Sequence, residues 1–227
     1  MNDALLNGSD LIIPQGHCLV PEEVEEIRQN SNVVTHQHRE LIFRQNTRTS
    51  HIMFIKAGMV KIFKEGKNRR SFILKIATPG EYLGLLSVFG SEMHQFSASA
   101  IQSCDITYVD FSTFDRILRK NGTFAMNLVN TLSNDGLFIF DKMLGQSHKQ
   151  LPGRVADVIL YFSESIFGRE EFEFPLTRRE LAELAGTTKE SFIRTLAEFK
   201  HDKIIQLDGS KVSINSLKII HTLSELG

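Results

Sequence analysis

Apolar and polar positions along the chain change their period partway. From about residue 33 to 110 the pattern is that of short strands. Val60-Lys61-Ile62-Phe63-Lys64 interleaves apolar and basic residues as a half-buried strand does. Glu65-Gly66-Lys67-Asn68 reads as a turn, and Ser71-Phe72-Ile73-Leu74-Lys75-Ile76 as the returning strand of a hairpin. Thr78-Pro79-Gly80 makes another turn, and further strands are expected over Ala98–Ile101 and Asp105–Val109. Strands this short, separated by glycine turns, predict a small antiparallel barrel or jelly roll.

From Phe111 the period lengthens to that of helices. Phe114, Ile117 and Leu118 suit a short helix closed by Asn121-Gly122. Phe124, Leu128, Leu132, Ile139 and Met143 mark a long one, with spacings near 3.6. Val129, Leu137, Phe138, Phe140 and Leu144 lie off that stripe, more than a one-sided helix needs. One face is expected to pack on the barrel. The excess predicts a second buried face against a partner subunit, with burial inside its own domain as the alternative. Leu128, Leu132, Gly136, Ile139 and Met143 are the expected dimer contacts, Gly136 letting two helices approach closely. Gln146 to Pro152 is polar, ends in proline and is the expected hinge. Arg154 to Phe162 reads as the next helix, and Phe172-Glu173-Phe174 as a short extended piece.

The most informative stretch is Leu176 to Leu196. Thr177 followed by Glu180 is a capping box, the signature of a helix start. Leu181, Leu184 and Ala185 supply that helix with an apolar face, and Gly186 stops it. Thr187 followed by Glu190 predicts a second capping box, with Phe192, Leu196 and Phe199 as the buried face of the helix it starts. Two helices joined by a tight glycine turn form a helix-turn-helix. Such a motif presents the start of its second helix to base edges in the major groove, here Thr188, Lys189, Glu190 and Arg194. Arginine matches guanine O6 and N7, and glutamate accepts from cytosine N4. Glu190 and Arg194 are also four apart, the spacing of a surface ion pair. Arg178, Arg179 and Lys211 are placed on phosphates. Lys203–Leu207 and Lys211–Ile214 flank Asp208-Gly209-Ser210, a hairpin turn, so the motif carries a wing.

Charge narrows how DNA is held. Lys and Arg number 26 against 27 Asp and Glu, a net charge of −1, so contact depends on a local patch rather than on overall charge. No apolar run approaches the ~20 residues of a membrane helix. The N-terminus, Met1-Asn2-Asp3-Ala4, lacks a secretion signal, and Cys18 and Cys104 belong to no CxxC pair. The expectation is a cytoplasmic protein with free thiols, no metal and no iron–sulfur cluster, which needs four thiolates.

These features together resemble the cyclic-AMP receptor protein and FNR (CRP/FNR) family of bacterial transcription regulators, over about His17 to Leu217. Phe54-Ile55-Lys56-Ala57-Gly58-Met59-Val60-Lys61 matches the family's glycine-turn strand pair, and Thr78-Pro79-Gly80-Glu81-Tyr82-Leu83-Gly84 its proline-glycine loop. Arg154-Val155-Ala156 resembles the entry to the DNA-binding domain. Thr188-Lys189-Glu190-Ser191-Phe192-Ile193-Arg194 resembles the recognition helix, with Lys189 where the cyclic-AMP branch has arginine. The resemblance implies an α+β chain: a cyclic-nucleotide-binding-type β-roll over residues 1–120, a dimerisation helix and hinge over 121–149, and a winged helix-turn-helix over 150–227. It implies a homodimer on a palindromic double-stranded site, with RNA polymerase as partner of an activator, and no enzyme.

For the effector, the resemblance places the pocket at Gly84, Leu85, His94, Gln95, Phe96, Ile139 and Phe140. Cyclic-AMP binders carry glutamate where Leu85 stands, arginine near the place of His94, and hydroxyls at the places of Ile139 and Phe140. An anionic phosphate buried without its arginine lacks the paired charge it needs, so cyclic AMP is not expected. His94 in an apolar setting keeps haem as an alternative, set against a hydrogen-bonded bystander. A rival from another class is a metal-dependent cupin enzyme using His36, His38 and His51. That pattern needs a carboxylate where Leu41, Ile42 and Phe43 stand, and Glu40 is out of register, so surface histidines are the simpler reading.

Overall fold

The computed structural model describes residues 13–14, 16–66 and 71–227. Lys67 and Asn68 of the expected turn, and Met1 to Ala4, lie outside the described residues. The chain divides into two compact units. One runs to Glu65 and again from Leu74 to Leu137; the other comprises Phe138–Gly227 with Gly66 and Ser71–Ile73.

The first unit opens with α1 (Pro21–Gln29) and then winds through β1 (Ser31–His36), β2 (Leu41–Phe43), β3 (His51–Ala57), β4 (Val60–Glu65), β5 (Ser71–Ala77), of which it holds the part from Leu74 on, and β6 (Tyr82–Leu83). The short helix α2 (Leu85–Gly90) intervenes before β7 (Ser97–Ala100) and β8 (Cys104–Asp110). Two four-stranded sheets result, β1-β8-β3-β6 and β2-β7-β4-β5. This is the expected roll. Two apolar clusters explain the unbroken run Ile52–Ile55. Ile52 and Phe54 point to one side of β3, into a cluster with Ile27, Phe114, Phe124 and Leu128 of the helices. Met53 and Ile55 point to the other, into a roll interior filled by Val60, Leu83, Ala98, Ala100 and Ile106. A strand buried on both faces reads as a continuous apolar run. At the turn between β3 and β4 only glycine fits. Gly58 has φ +89°, and a Cβ there would meet the Ser103 carbonyl oxygen at 2.6 Å.

The helices α3 (Phe111–Lys120) and α4 (Gly122–His148) follow. Asp110 caps α3, accepting from the Ser112 and Thr113 amides. Within the first unit, Lys75 joins Glu81 of the proline-glycine loop to Asp135 of α4, at 2.8 Å from Asp135. Burial works against the Lys75 ammonium, but the two carboxylates outweigh it and raise its pKa.

The faces of α4 require a correction. Leu128, expected at the dimer contact, is 2% exposed and belongs to its own chain's core, where Leu132 also packs. Gly136 and Ile139 are half-buried. The large apolar side chains left in solvent are Met126, Val129, Leu137, Phe140, Met143 and Leu144. All but Met143 fall at steps of three, four and eight, the near-heptad spacing of a helix–helix seam.

In the second unit α4 runs on to His148, and α5 (Leu151–Leu160) starts at once. The expected hinge therefore shrinks to Lys149-Gln150. Pro152 sits in the first turn of α5, where its missing N–H leaves no bond unmade. A π-helical turn (Tyr161–Ile166) and β9 (Glu171–Glu173) lead to α6 (Arg178–Leu184) and α7 (Lys189–His201), then β10 (Ile205–Asp208), β11 (Lys211–Ile214) and α8 (Leu217–Leu226). The wing sheet has order β10-β11-β9, so the short extended piece becomes its third strand. No described helix is long and apolar enough to cross a membrane.

Candidate nucleic-acid interface

The Thr177–Glu180 capping box forms at α6: the Thr177 hydroxyl accepts from the Glu180 amide and the Glu180 carboxylate accepts from the Thr177 amide at 2.9 Å. Gly186 then turns the chain with φ +63°. The second capping box does not form. The cap of α7 is Thr188, whose hydroxyl accepts from the Ser191 amide at 3.2 Å. The left-handed residue at Gly186 delays the helix by one position, so N3 is Ser191. Glu190 is thereby released from capping and stands exposed in the first turn.

Lys189, Glu190 and Arg194 are all exposed on α7, opposite Phe192, Thr195, Leu196 and Phe199, which are buried. The ion pair on this motif joins Arg179 to Glu183, at 3.2 Å, rather than Glu190 to Arg194. Ile193 was not singled out by sequence, yet it lies on the same open face, 41% exposed. The signal was available: an isoleucine one step off the buried 192–196–199 stripe of a polar helix. An aliphatic side chain there offers contact to a thymine methyl.

Lys211 is exposed at the start of β11. Arg178 is less free. Its guanidinium donates to the Gly209 carbonyl of the wing turn and lies 5.6 Å over the Phe174 ring, and burial lowers its pKa. It ties α6 to the wing.

The effector candidates divide between the two units. In the first, Gly84 takes a left-handed conformation, φ +77°, just before α2. Leu85 turns into the cluster with Ile52, Phe54 and Val88. Gln95 is exposed and bonds Ser91, and Phe96 lies under the Lys64 ammonium. His94 is 3% exposed and stacks on Phe43, centroids 3.9 Å apart and planes 13° from parallel. Its ring lies 3.2 Å from where a Gly84 Cβ would stand, its Nδ1 has no partner among the described residues, and desolvation lowers its pKa. Ile139 and Phe140 belong to the second unit, Phe140 being 65% exposed.

The cupin histidines have other bonds. His36 bridges Glu40 at 3.1 Å and the Tyr108 hydroxyl at 2.9 Å, His38 meets the Ile101 carbonyl, and His51 meets Ser50. Among the described residues no group of His, Cys, Asp and Glu is arranged to hold a metal ion.

Two family models match: a cyclic nucleotide-binding domain over residues 33–121 and a Crp-like helix-turn-helix domain over 153–219. The chain is 24% identical over 200 residues to a CRP-like cAMP-activated global transcriptional regulator of Mycobacterium tuberculosis, covering 86% of this chain and 89% of that protein. It is 23% identical over 179 residues to the transcriptional activator protein Anr of Pseudomonas protegens, covering 77% and 73%. Its fold is similar to that of FixK2 from Bradyrhizobium japonicum, with a TM-score of 0.78 at 20% identity over 85% of this chain and 96% of that one. The mycobacterial and pseudomonad relatives are named as transcriptional regulators.

Proposed function

The chain belongs to the CRP/FNR family of transcription regulators, and we propose that it acts as a homodimer reading a palindromic site in double-stranded DNA. One observation carries this reading: Lys189, Glu190, Ile193 and Arg194 stand in solvent on a helix whose opposite face is sunk in the core. Arg194 reads a guanine, Glu190 a cytosine and Ile193 a thymine methyl, with Thr188 and Lys189 at the groove edge. Arg179 and Lys211 meet phosphates, and Arg178 positions the wing. The exposed apolar side chains of α4 supply the dimer contact, and the protein works in the cytoplasm, where the DNA is. RNA polymerase is the further partner if the bound dimer activates.

Salt dependence tests the phosphate contacts. Lys211→Ala is expected to weaken binding to cognate and unrelated DNA alike and to reduce the slope of log K against log salt by about 1. A Lys211→Ala protein that loses affinity only for the cognate site would move this residue from phosphate to base.

We further propose that the roll does not take cyclic AMP, unlike the mycobacterial relative as its name describes it. Leu85 offers the ribose hydroxyls no acceptor, and His94, uncharged when desolvated, offers the phosphate no paired cation. Saturating cyclic AMP should therefore leave the melting temperature unchanged. A ligand bound only to the folded state at 100 times its Kd would stabilise it by about 2.7 kcal/mol, and a shift of that size would refute this point. Haem does not fit His94 either: Phe43 covers one face of the imidazole, and its edge lies against Gly84.

A further inference from the structure

The second unit contains a cavity of about 250 Å³ between the last turns of α4, the start of α5 and the end of α6. Its walls are partly apolar, from Phe138, Val158 and Leu184. Its polar lining comprises Lys142, Gln146, Lys149, Arg154 and Tyr161 with the carboxylates Asp141, which is exposed, and Asp157. Gln146 Nε2 and Arg154 Nε are both buried with no hydrogen-bond partner among the described residues. Buried polar groups are nearly always paired, so two orphans in one cavity call for an explanation.

They lie close together. Arg154 Nη1 donates to the Gly186 carbonyl at 3.0 Å, and the Gln146 amide is within 3.0 Å of where a Gly186 Cβ would stand. A third donor is Lys142, which makes no hydrogen bond among the described residues and lies over the Phe72 ring, 5.8 Å from its centroid. The acidic group nearest at hand is already used. Asp157 accepts from Lys149 at 2.7 Å and 2.9 Å and from the Ser224 hydroxyl at 2.5 Å. Burial pushes the Lys142 ammonium down to about 7, with Asp157 only partly opposing, as expected of a cation short of a counter-charge.

We propose that this cavity is a binding site for a small organic carboxylate. The carboxylate accepts from Lys142, Gln146 and the Arg154 Nε, and the organic body packs on the apolar walls. Three side-chain donors, each without an acceptor among the described residues, fit an anion, since Asp157 is held by Lys149 and Ser224 and Asp141 stands exposed. The volume exceeds the ~150 Å³ that encloses benzene, which leaves room for a ring plus a carboxylate.

Benzoate is the probe, with benzamide as the neutral isostere and inorganic phosphate as an anion without an apolar body. Calorimetry on the full chain is expected to show saturable benzoate binding at one site per chain, and no saturable binding of benzamide or phosphate. Lys142→Met and Gln146→Leu fill their places with apolar groups. Each is expected to weaken benzoate about tenfold or more, the loss of one charge-assisted or buried hydrogen bond. Their melting temperatures, taken without ligand, show that they fold. The proposal is overturned if benzoate does not bind, if benzamide or phosphate binds as well, or if both folded variants bind benzoate like the wild type.

Discussion

A protein carrying Leu137→Glu and Phe140→Glu is expected to sediment as a monomer and the wild type as a dimer, with the winged helix of the variant still folded. Both side chains are mostly exposed in the protomer, 61% and 65%, so replacing them removes little from the core. In a dimer they would be buried against the partner helix, and each glutamate would then be an unpaired buried charge costing several kcal/mol. The affinity for a palindromic site should fall about 10²–10⁴-fold, because the second half-site is then bound from solution and not within one assembly. Leu128 serves as the contrast. It is 2% exposed inside its own core, and a charge there should unfold the first unit whatever the dimer does. A Leu137→Glu, Phe140→Glu protein that stays dimeric would move the interface off this face of α4.

Arg194→Ala is expected to cost about 1–3 kcal/mol in each half-site and to relax the preference at a single base position there. Two symmetric half-sites double the loss to about 2–6 kcal/mol on the full palindrome, provided they act independently. The fold should tolerate the change, because Arg194 is exposed. Competition binding with single-base variants of the site checks this. A uniform loss across all variants would assign Arg194 to phosphate instead.

Much of this architecture is legible in the sequence because it is local. Thr177 with Glu180, Gly186, and Asp208-Gly209 each fix a helix start or turn by chemistry within four residues, and all three appear as read. The capping box at Thr187 failed for a reason spacing could not reveal. Thr187 and Thr188 are both capping residues, and only the backbone turn at Gly186 selects Thr188. Likewise Pro152 reads as a breaker from sequence, whereas its place in the first turn of α5 makes it a helix starter.

Which face of a helix is buried is a tertiary fact. The spacing of α4 shows two apolar stripes but not which one the roll takes, and the core of the first unit takes Leu128. The same holds for Arg178, which looks like a phosphate ligand until its bond to Gly209 is seen. The cavity beside Gly186 could not be read at all, since Lys142, Gln146 and Arg154 come from two helices and converge only in the fold.

Paired winged helices are expected to read an inverted repeat through α7. The measurement that meets it most directly is selection of binding sites by the purified full chain from random double-stranded DNA. The expected product is an inverted repeat whose half-sites are centred about 34 Å, one helical turn, apart. The same selection with Arg194→Ala should return that repeat with one base position per half-site randomised. Failure to enrich any sequence, or enrichment of an isolated half-site by the wild type, would contradict it.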